Sequence, residues 1–312
     1  MSKAIVASVA AITAAVLASD PAQATGVMRA WVSGHGTDAA GCGAPSNPCR
    51  SLQYVHDNII AAGGEIDILD PAGYGAVSIN KAISIVNDGV GTAGVQQTSA
   101  GHDAVSIGVQ ATNSVTLRGL TLDGLGLAQD GIGLTGAGKV TIVNCVIRHF
   151  THDGIYMQPS ASSVLAVINT IASDNGNDGF DLSPVSGGAL LADIEGSFAI
   201  NNHSDGVVVW GANGASYLQV VVANSDLSLN GGYGVLSNGP TAILPQLTIR
   251  GAVADNNGAY GYEADGGTFV ISHSEAEFDG INVGSGAQGF SYGDNAIPGD
   301  NVHGTLTVLS QH

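Results

Sequence analysis

"THDGIYMQPSASSVLAVINTIASDNGNDGFDL", Thr151 to Leu182, holds one full period of the pattern that decides the fold. The phrase Asp153-Gly154-Ile155-Tyr156-Met157 returns as Asp178-Gly179-Phe180-Asp181-Leu182. Between the two lies a second alternating run, Val164 to Ile168, then Asn169, then a third short run. Alternation with period two marks strands that bury one side chain in two. Outward from this period the phrase recurs as "DGIGL" at Asp130 and "DGVVV" at Asp205, and loosens to "YGVLS" at Tyr233 and "YGYEA" at Tyr260. Its glycines, Gly131, Gly154, Gly179, Gly206, Gly234 and Gly261, are 23 to 28 residues apart. Ten residues before each later glycine sits Asn144, Asn169, Gly196, Asn224 or Gly251, and four before sits Asn175, Asn202, Asn230 or Asn257.

Three short strands per period have one economical arrangement. The chain winds as a helix of strands, each strand bonding to its equivalent one coil on, about 4.8 Å away. Inward side chains then stack into a continuous core that no single coil could bury. The first strand contributes Ile132, Leu134, Ile155, Met157, Phe180, Leu182, Val207, Val209, Val235 and Tyr262. The second contributes Val140, Ile142, Leu165, Val167, Ile194, Val220, Val222, Leu247 and Ile249. Cys145 reads as an inward position of the third strand, level with Thr170, Ser197, Ser225 and Ala252. "SVTLRGLTLDG" from Ser114 is an earlier coil, and "GTFVISHSEAEFDG" and "GTLTVLS" finish the stack. Asn and Gly suit the turns because both tolerate φ > 0, and stacked Asn can bond from coil to coil.

The composition agrees with short strands and turns. There are 46 Gly among 312 residues, 44% apolar residues and 5% aromatics, a profile far from that of a helical bundle. Only 8 Lys and Arg stand against 26 Asp and Glu, a net charge of -18, which disfavours nucleic acid and anionic membranes as partners. Residues 1–24 read as a cleaved export signal: Lys3, the apolar run Ala4 to Ala18, and "AQA" at Ala22 to Ala24. That run is shorter than the roughly 20 residues of a membrane span, so no span is expected after cleavage, and the protein is expected to be secreted, periplasmic or at the cell surface. Residues 25–64 are expected to hold an N-terminal strand, a loop closed by a Cys42–Cys49 disulfide, and a helix over "CRSLQYVHDNIIAAGG" that lids the first coil. Ser51 is its N-cap, Leu52, Val55 and Ile59 its buried face, and Gly63 or Gly64 its stop. Residues 65–312 are the coils and closing strands.

With these repeats, the Asn positions and the opening "WVSGHGTDAAGCGAPSNPCRSLQYV", the chain resembles the right-handed parallel β-helix, or pectin-lyase-like, superfamily. The resemblance runs from about Met28 to the C-terminus. It implies an all-β fold with three short strands per coil and an N-terminal capping helix. It also implies polysaccharide as partner, since lyases, hydrolases and epimerases share the superfamily with adhesins and tailspikes. The catalytic signatures of the superfamily mostly fail. "GHG" at Gly34 to Gly36 lies before the lid helix, "NSD" at Asn224 to Asp226 stands alone, and "FTHDG" shares only a His-Asp pair with the alginate-active motif. No family catalytic residue carries over.

The residues themselves offer candidates on the outward side of the first strand: Gly133, Tyr156, Asp181, Val208, Leu236 and Glu263. His152, Asp153, Tyr156 and Asp181 form the candidate catalytic group, with His152 or Tyr156 as base for a sugar proton. Arg148, His149, Asp178, His203 and Asp205 are candidate substrate-binding residues. Asp130, Asp153, Asp178 and Asp205 recur at one repeat position, which points first to a turn role, the carboxylate accepting N–H bonds while the glycine takes an awkward φ. Like charges about 5 Å apart repel by about 3 kcal/mol at an effective dielectric near 20. Either Ca²⁺ sits along the row or unequal loops splay the carboxylates; no other cofactor is required. His152 faces Gln129, Asn177, Ser204, Gly232 and Ala259 in other coils, so the repeat does not demand histidine there. Trp210 either covers loop surface or stacks on sugar. Scarce basic residues and missing signatures favour an exported protein that binds polysaccharide without catalysis. The alternative is a lyase or epimerase, with glycoside hydrolysis behind it.

Overall fold

The computed structural model describes residues 26–212, 214–239, 245–298 and 301–310; the expected signal segment lies outside them. Every ladder between named strands is parallel, and the strands form three sheets of twelve, ten and six. One coil is Ile155–Met157, Ser162–Ile168 and Ile171–Ser173; the next is Phe180–Leu182, Ala189–Glu195 and Phe198–Ile200. Equivalent strands pair without slippage: Ile155 with Phe180, Tyr156 with Asp181, Met157 with Leu182. The fold is a right-handed parallel β-helix. The first strands of the coils make the ten-stranded sheet, the second strands the twelve-stranded sheet, and the third strands the six-stranded sheet.

Every inward residue named from the alternation is buried, from Ile132 through Tyr262 on the first strand and from Val140 through Ile249 on the second. At about 1.5–3 kcal/mol for each large side chain buried, this stack is the main stabilising term. Tyr262 carries a polar tip into the core and satisfies it by donating to the carbonyls of Ala252 (3.0 Å) and Glu275 (3.2 Å). Cys145 is buried as expected, but in the turn between Gly138–Val143 and Val146–Arg148 rather than on a strand. Burial pushes its thiol up to about 11, so it is a thiol and no nucleophile at neutral pH.

The lid is shorter than its sequence suggests. The helix spans Leu52–Asn58 with Ser51 as N-cap, its hydroxyl accepting from Tyr54 N–H at 3.3 Å. It ends at Ile59, not at Gly63 or Gly64, which lie inside the strand Ile60–Ile68. That strand crosses the expected boundary at residue 64 and pairs with both Val27–Val32 and Ile83–Val86. Sheet pairing on both sides, with β-branched Ile59 and Ile60, outweighs the glycine stop signal. Lys81 donates to the carbonyls of His56 (2.5 Å) and Ile60 (2.8 Å) at the helix end. Cys42 and Cys49 form the expected disulfide, Cα atoms 5.1 Å apart. The "GHGTD" loop is structural. Asp38 Oδ1 accepts the N–H groups of Arg50 (2.7 Å) and Ser51 (3.0 Å), and a side chain on Gly36 would strike the Cys49 carbonyl. At the far end Leu306–Val308 closes the twelve-stranded sheet, and no helix among the described residues covers it.

Two polar ladders run through the turns. Asn175 Nδ2 donates to Asn202 Oδ1 (3.0 Å), Asn202 to Asn230 (3.1 Å) and Asn230 to Asn257 (3.2 Å). Each oxygen also accepts a backbone N–H from the preceding coil. The other asparagine column takes left-handed backbone: φ is 54° at Asn144, 48° at Asn169 and 49° at Asn224, with Gly196 and Gly251 in equivalent places.

The aspartate column is the second ladder. Asp130 Oδ1 accepts Asp153 N–H (3.0 Å), Asp153 accepts Asp178 (3.0 Å), Asp178 accepts Asp205 (2.9 Å) and Asp205 accepts Tyr233 (2.7 Å). The carboxylates are buried; relative exposure is 2 to 6%. The glycine after each aspartate is not there for φ, since none of Gly131, Gly154, Gly179 and Gly206 is left-handed. A Cβ on Gly154 would lie 2.6 Å from the Gly179 carbonyl oxygen, and one on Gly179 would lie 2.6 Å from that of Gly206. Close approach of successive coils selects glycine at these four positions.

Replacing Asn202 by Ala breaks the first ladder on both sides and strands buried donors, at about 1–3 kcal/mol for each. We expect the melting temperature to fall by at least about 3 °C; an unchanged melt by circular dichroism would show the ladder to be incidental. Burial, against the backbone N–H bonds, pushes Asp130, Asp153, Asp178 and Asp205 up to about 6. A folded-state value above the unfolded one favours the protonated native state. Stability should therefore rise as pH falls from above 6 towards 4, lifting the melting temperature by at least about 2 °C. A flat or falling profile across that window would contradict the buried ladder.

Candidate functional site

The outward side of the ten-stranded sheet is a regular surface built by strict register. Ser78, Ser106, Gly133, Tyr156, Asp181, Val208, Leu236 and Glu263 follow one another coil by coil, and Asn282 and His303 continue the line. Each step is about 4.8 Å, so chemistry on this face is spaced along a line rather than gathered in a deep pocket.

At the N-terminal end the face opens into a cleft of about 350 Å³ between the lid helix and the coils. Gln53 of the helix forms one wall, its Oε1 accepting Ser78 N–H at 2.7 Å. His102, Asp103, Ser106, Gln129 and Tyr156 are among the other lining residues. Gly133 makes the hollow: a side chain there would run into the Asp103 carboxylate. Burial raises the Asp103 carboxyl above its ordinary value.

His102 and Asp103 belong to the repeat. Gln129 N–H donates to the His102 carbonyl (2.9 Å) and His152 N–H to that of Gln129 (3.0 Å), so His102 stands at the His152 position two coils earlier. Histidine therefore stands at this position in two coils, with Gln129 between them. Asp103 extends the aspartate column, with Ala104 in the place of glycine. The signal was present: "HDAVSI" at His102 and "HDGIYM" at His152 differ at the glycine used as marker.

Among the expected catalytic residues, Tyr156 and Asp181 are side by side on adjacent coils. Burial, followed by the Asp181 charge, raises the Tyr156 phenol above its ordinary value. Asp181 accepts the Ser183 hydroxyl. Its carboxyl is pushed up to about 7 by burial, against that bond and aided by Asp153 and Asp178. His152 is exposed on the turn. Asp153 is buried beneath it and accepts Asn177 Nδ2 at 2.8 Å as well as its ladder N–H. The expected surface role of Asp153, Asp178 and Asp205 is thereby corrected: all three face backbone. Among the described residues no group of three or more His, Cys, Asp or Glu side chains is placed to hold a metal ion.

Arg148 and His149 lie elsewhere. Both reach Asp123 of the preceding coil, Arg148 Nε at 3.1 Å and His149 Nδ1 at 3.1 Å, at the end of the third strands. Against the cost of burial, the Leu125 N–H, His149 and Arg148 hold the Asp123 carboxyl below its ordinary value. His203 is exposed on the turn one residue before the His152 column.

Towards the C-terminal end the face carries a second acidic feature, at the outward position expected for Glu263. Glu263 is 4% exposed, accepts Asn282 Nδ2 at 2.8 Å through Oε1, and leaves Oε2 without a hydrogen-bond partner among the described residues. Burial, then Asp265, pushes it up to about 7. Between this pair and Asp181 stands Trp210, 41% exposed, beside Val208 and in register with Asn238.

The family model described as right handed beta helix region matches residues 67–246 and 105–297. The structure is similar to that of pectate lyase Pel9A: 18% identity, 91% of this chain and 80% of that one covered, TM-score 0.66. It is also similar to a rhamnogalacturonan lyase: 16% identity, 91% and 90% covered, TM-score 0.55. No curated protein matches in sequence. At these identities the two structures share a fold with this chain. The family matches overlap and together run from the second coil strand to the last turns, and the chain belongs to the right-handed β-helix family.

Proposed function

We propose that this protein binds polysaccharide outside the cytoplasm, along the outward face of the ten-stranded sheet, without turning it over. The observation that carries the reading is the cleft at the lid helix, which His102, Ser106, Gln129 and Tyr156 line opposite Gln53 of the helix. Concave sites with a few convergent polar groups and an aromatic wall suit ligands of many hydroxyls. The lyase fold of the two similar structures is consistent with a glycan ligand but brings no catalytic residue with it. The disulfide fits an oxidising compartment.

A second reading, lyase or epimerase chemistry, is favoured by Asp181. A carboxyl near 7 holds or accepts a proton at neutral pH, and Tyr156 lies beside it.

Binding is tested by affinity electrophoresis of the exported chain in gels cast with single polysaccharides. At least one polymer should retard the wild type, and Tyr156→Ala should weaken that retardation by roughly tenfold. The same polymers incubated with the protein should release no unsaturated or reducing ends. Turnover that Asp181→Asn abolishes would replace the binding reading with the enzymatic one.

A further inference from the structure

We infer that the glycan held on this face is uncharged, and that Trp210 is the platform on which one of its sugar rings stacks. This rests on the proposal that the face binds polysaccharide at all, and names the class of chain it takes.

The first line of support is where the cations are. A chain of uronic acids repeats a negative charge, and its binding face needs Arg or Lys to match it. Of the Lys and Arg residues in the described chain, Arg29, Arg118, Lys139 and Arg250 lie on the twelve-stranded sheet. Arg148 ends a strand of the six-stranded sheet. Arg50 donates to the Gly73 carbonyl, and Lys81 to the end of the lid helix. Every strand of the ten-stranded sheet is without either. All four arginines on the sheets are also spent on neighbours: Arg29 on Glu65 and Asp67, Arg118 on Asp88, Arg148 on Asp123 and Arg250 on Glu195.

The second line is what the face presents instead. Asp181 and the Glu263–Asp265 pair stand on it at intervals of a few coils, on either side of Trp210. A carboxylated sugar laid along this line would meet carboxyl groups of the protein on both sides of its stacking site.

Third, Trp210 is out of place as a structural residue. Val209 is fully buried, so the alternation points Trp210 outward, where it is 41% exposed. Val208, 9% exposed, and Leu236 extend the apolar patch beside it. Asn238 lies one coil on, in register. An apolar ring face edged by an amide fits the C–H face and rim hydroxyls of an uncharged pyranose.

The test uses the exported full chain in affinity gels containing β-glucan, galactomannan, arabinan, polygalacturonate or alginate, each run in EDTA and in millimolar Ca²⁺. We expect retardation by at least one of the uncharged polymers, equal in both conditions, and by neither polyuronate. Trp210→Ala should lose roughly tenfold in affinity with an unchanged melting curve, Trp210→Phe should keep most of it, and Lys139→Ala, on another sheet, should bind as wild type. Retardation by a polyuronate, with or without Ca²⁺, and weakened by Tyr156→Ala, would overturn the uncharged class while leaving the face as the binding site. Retardation by none of the polymers would remove the face reading and this inference together. Full affinity in Trp210→Ala would remove the platform.

Discussion

Successive coils meet closely at the Asp-Gly turn, and much of the structure follows from that approach. Gly131 N–H donates to the Asp153 carbonyl, Gly154 N–H to that of Asp178 and Gly179 N–H to that of Asp205. The glycine carbonyls lie where a Cβ would have to be. A side chain at any of these positions would force the coils apart at one corner and unpick the register of the strands beside it. Because the corner is fixed, the three residues after each glycine fall in step along the whole ten-stranded sheet, and their alternation becomes a core on one side and a face on the other.

The same closeness sets the electrostatics. Aspartates stacked at coil spacing would repel strongly if charged and dry. The fold buries them, which raises their proton affinity to about 6 against the opposing pull of the next coil's N–H bond. Carboxyls whose proton affinity is raised in this way lose part of their mutual repulsion once the pH falls below about 6. The neighbouring asparagine ladder solves the same problem without charge, since each amide both donates and accepts along the axis.

Alternation made the core legible, down to single residues such as Met157 and Ile249, because side-chain direction in a strand depends on parity alone. The lid's N-cap and the disulfide were legible for equally local reasons. The helix end was not: the pairing of Ile60–Ile68 with strands on both sides is a tertiary fact that no stop signal encodes. The glycine's reason was misread, because a tight turn and a close approach select the same residue. Asp103 and His102 escaped notice because Ala104 stands where the marker glycine was sought. The burial of the aspartates was hidden by their repetition, which looks the same whether the row faces water or backbone. Arg148 and His149 are near His152 in sequence and distant in role, since a coil turns a corner between them and sends their side chains to Asp123.

A β-helix decorates its faces independently, because each of the three strands in a coil feeds its own sheet. Basic residues can therefore be concentrated on one sheet and withheld from another without any change to the core. Here the twelve-stranded sheet carries Arg29, Arg118, Lys139 and Arg250, while the ten-stranded sheet carries amides, hydroxyls, carboxyls and Trp210. The net charge of -18 thus understates the difference between faces. A chain that reads hydroxyl groups has donors and acceptors of both kinds along the ten-stranded sheet. A chain that needs cations would find them only around the corner, on sheets whose side chains are largely paired with one another.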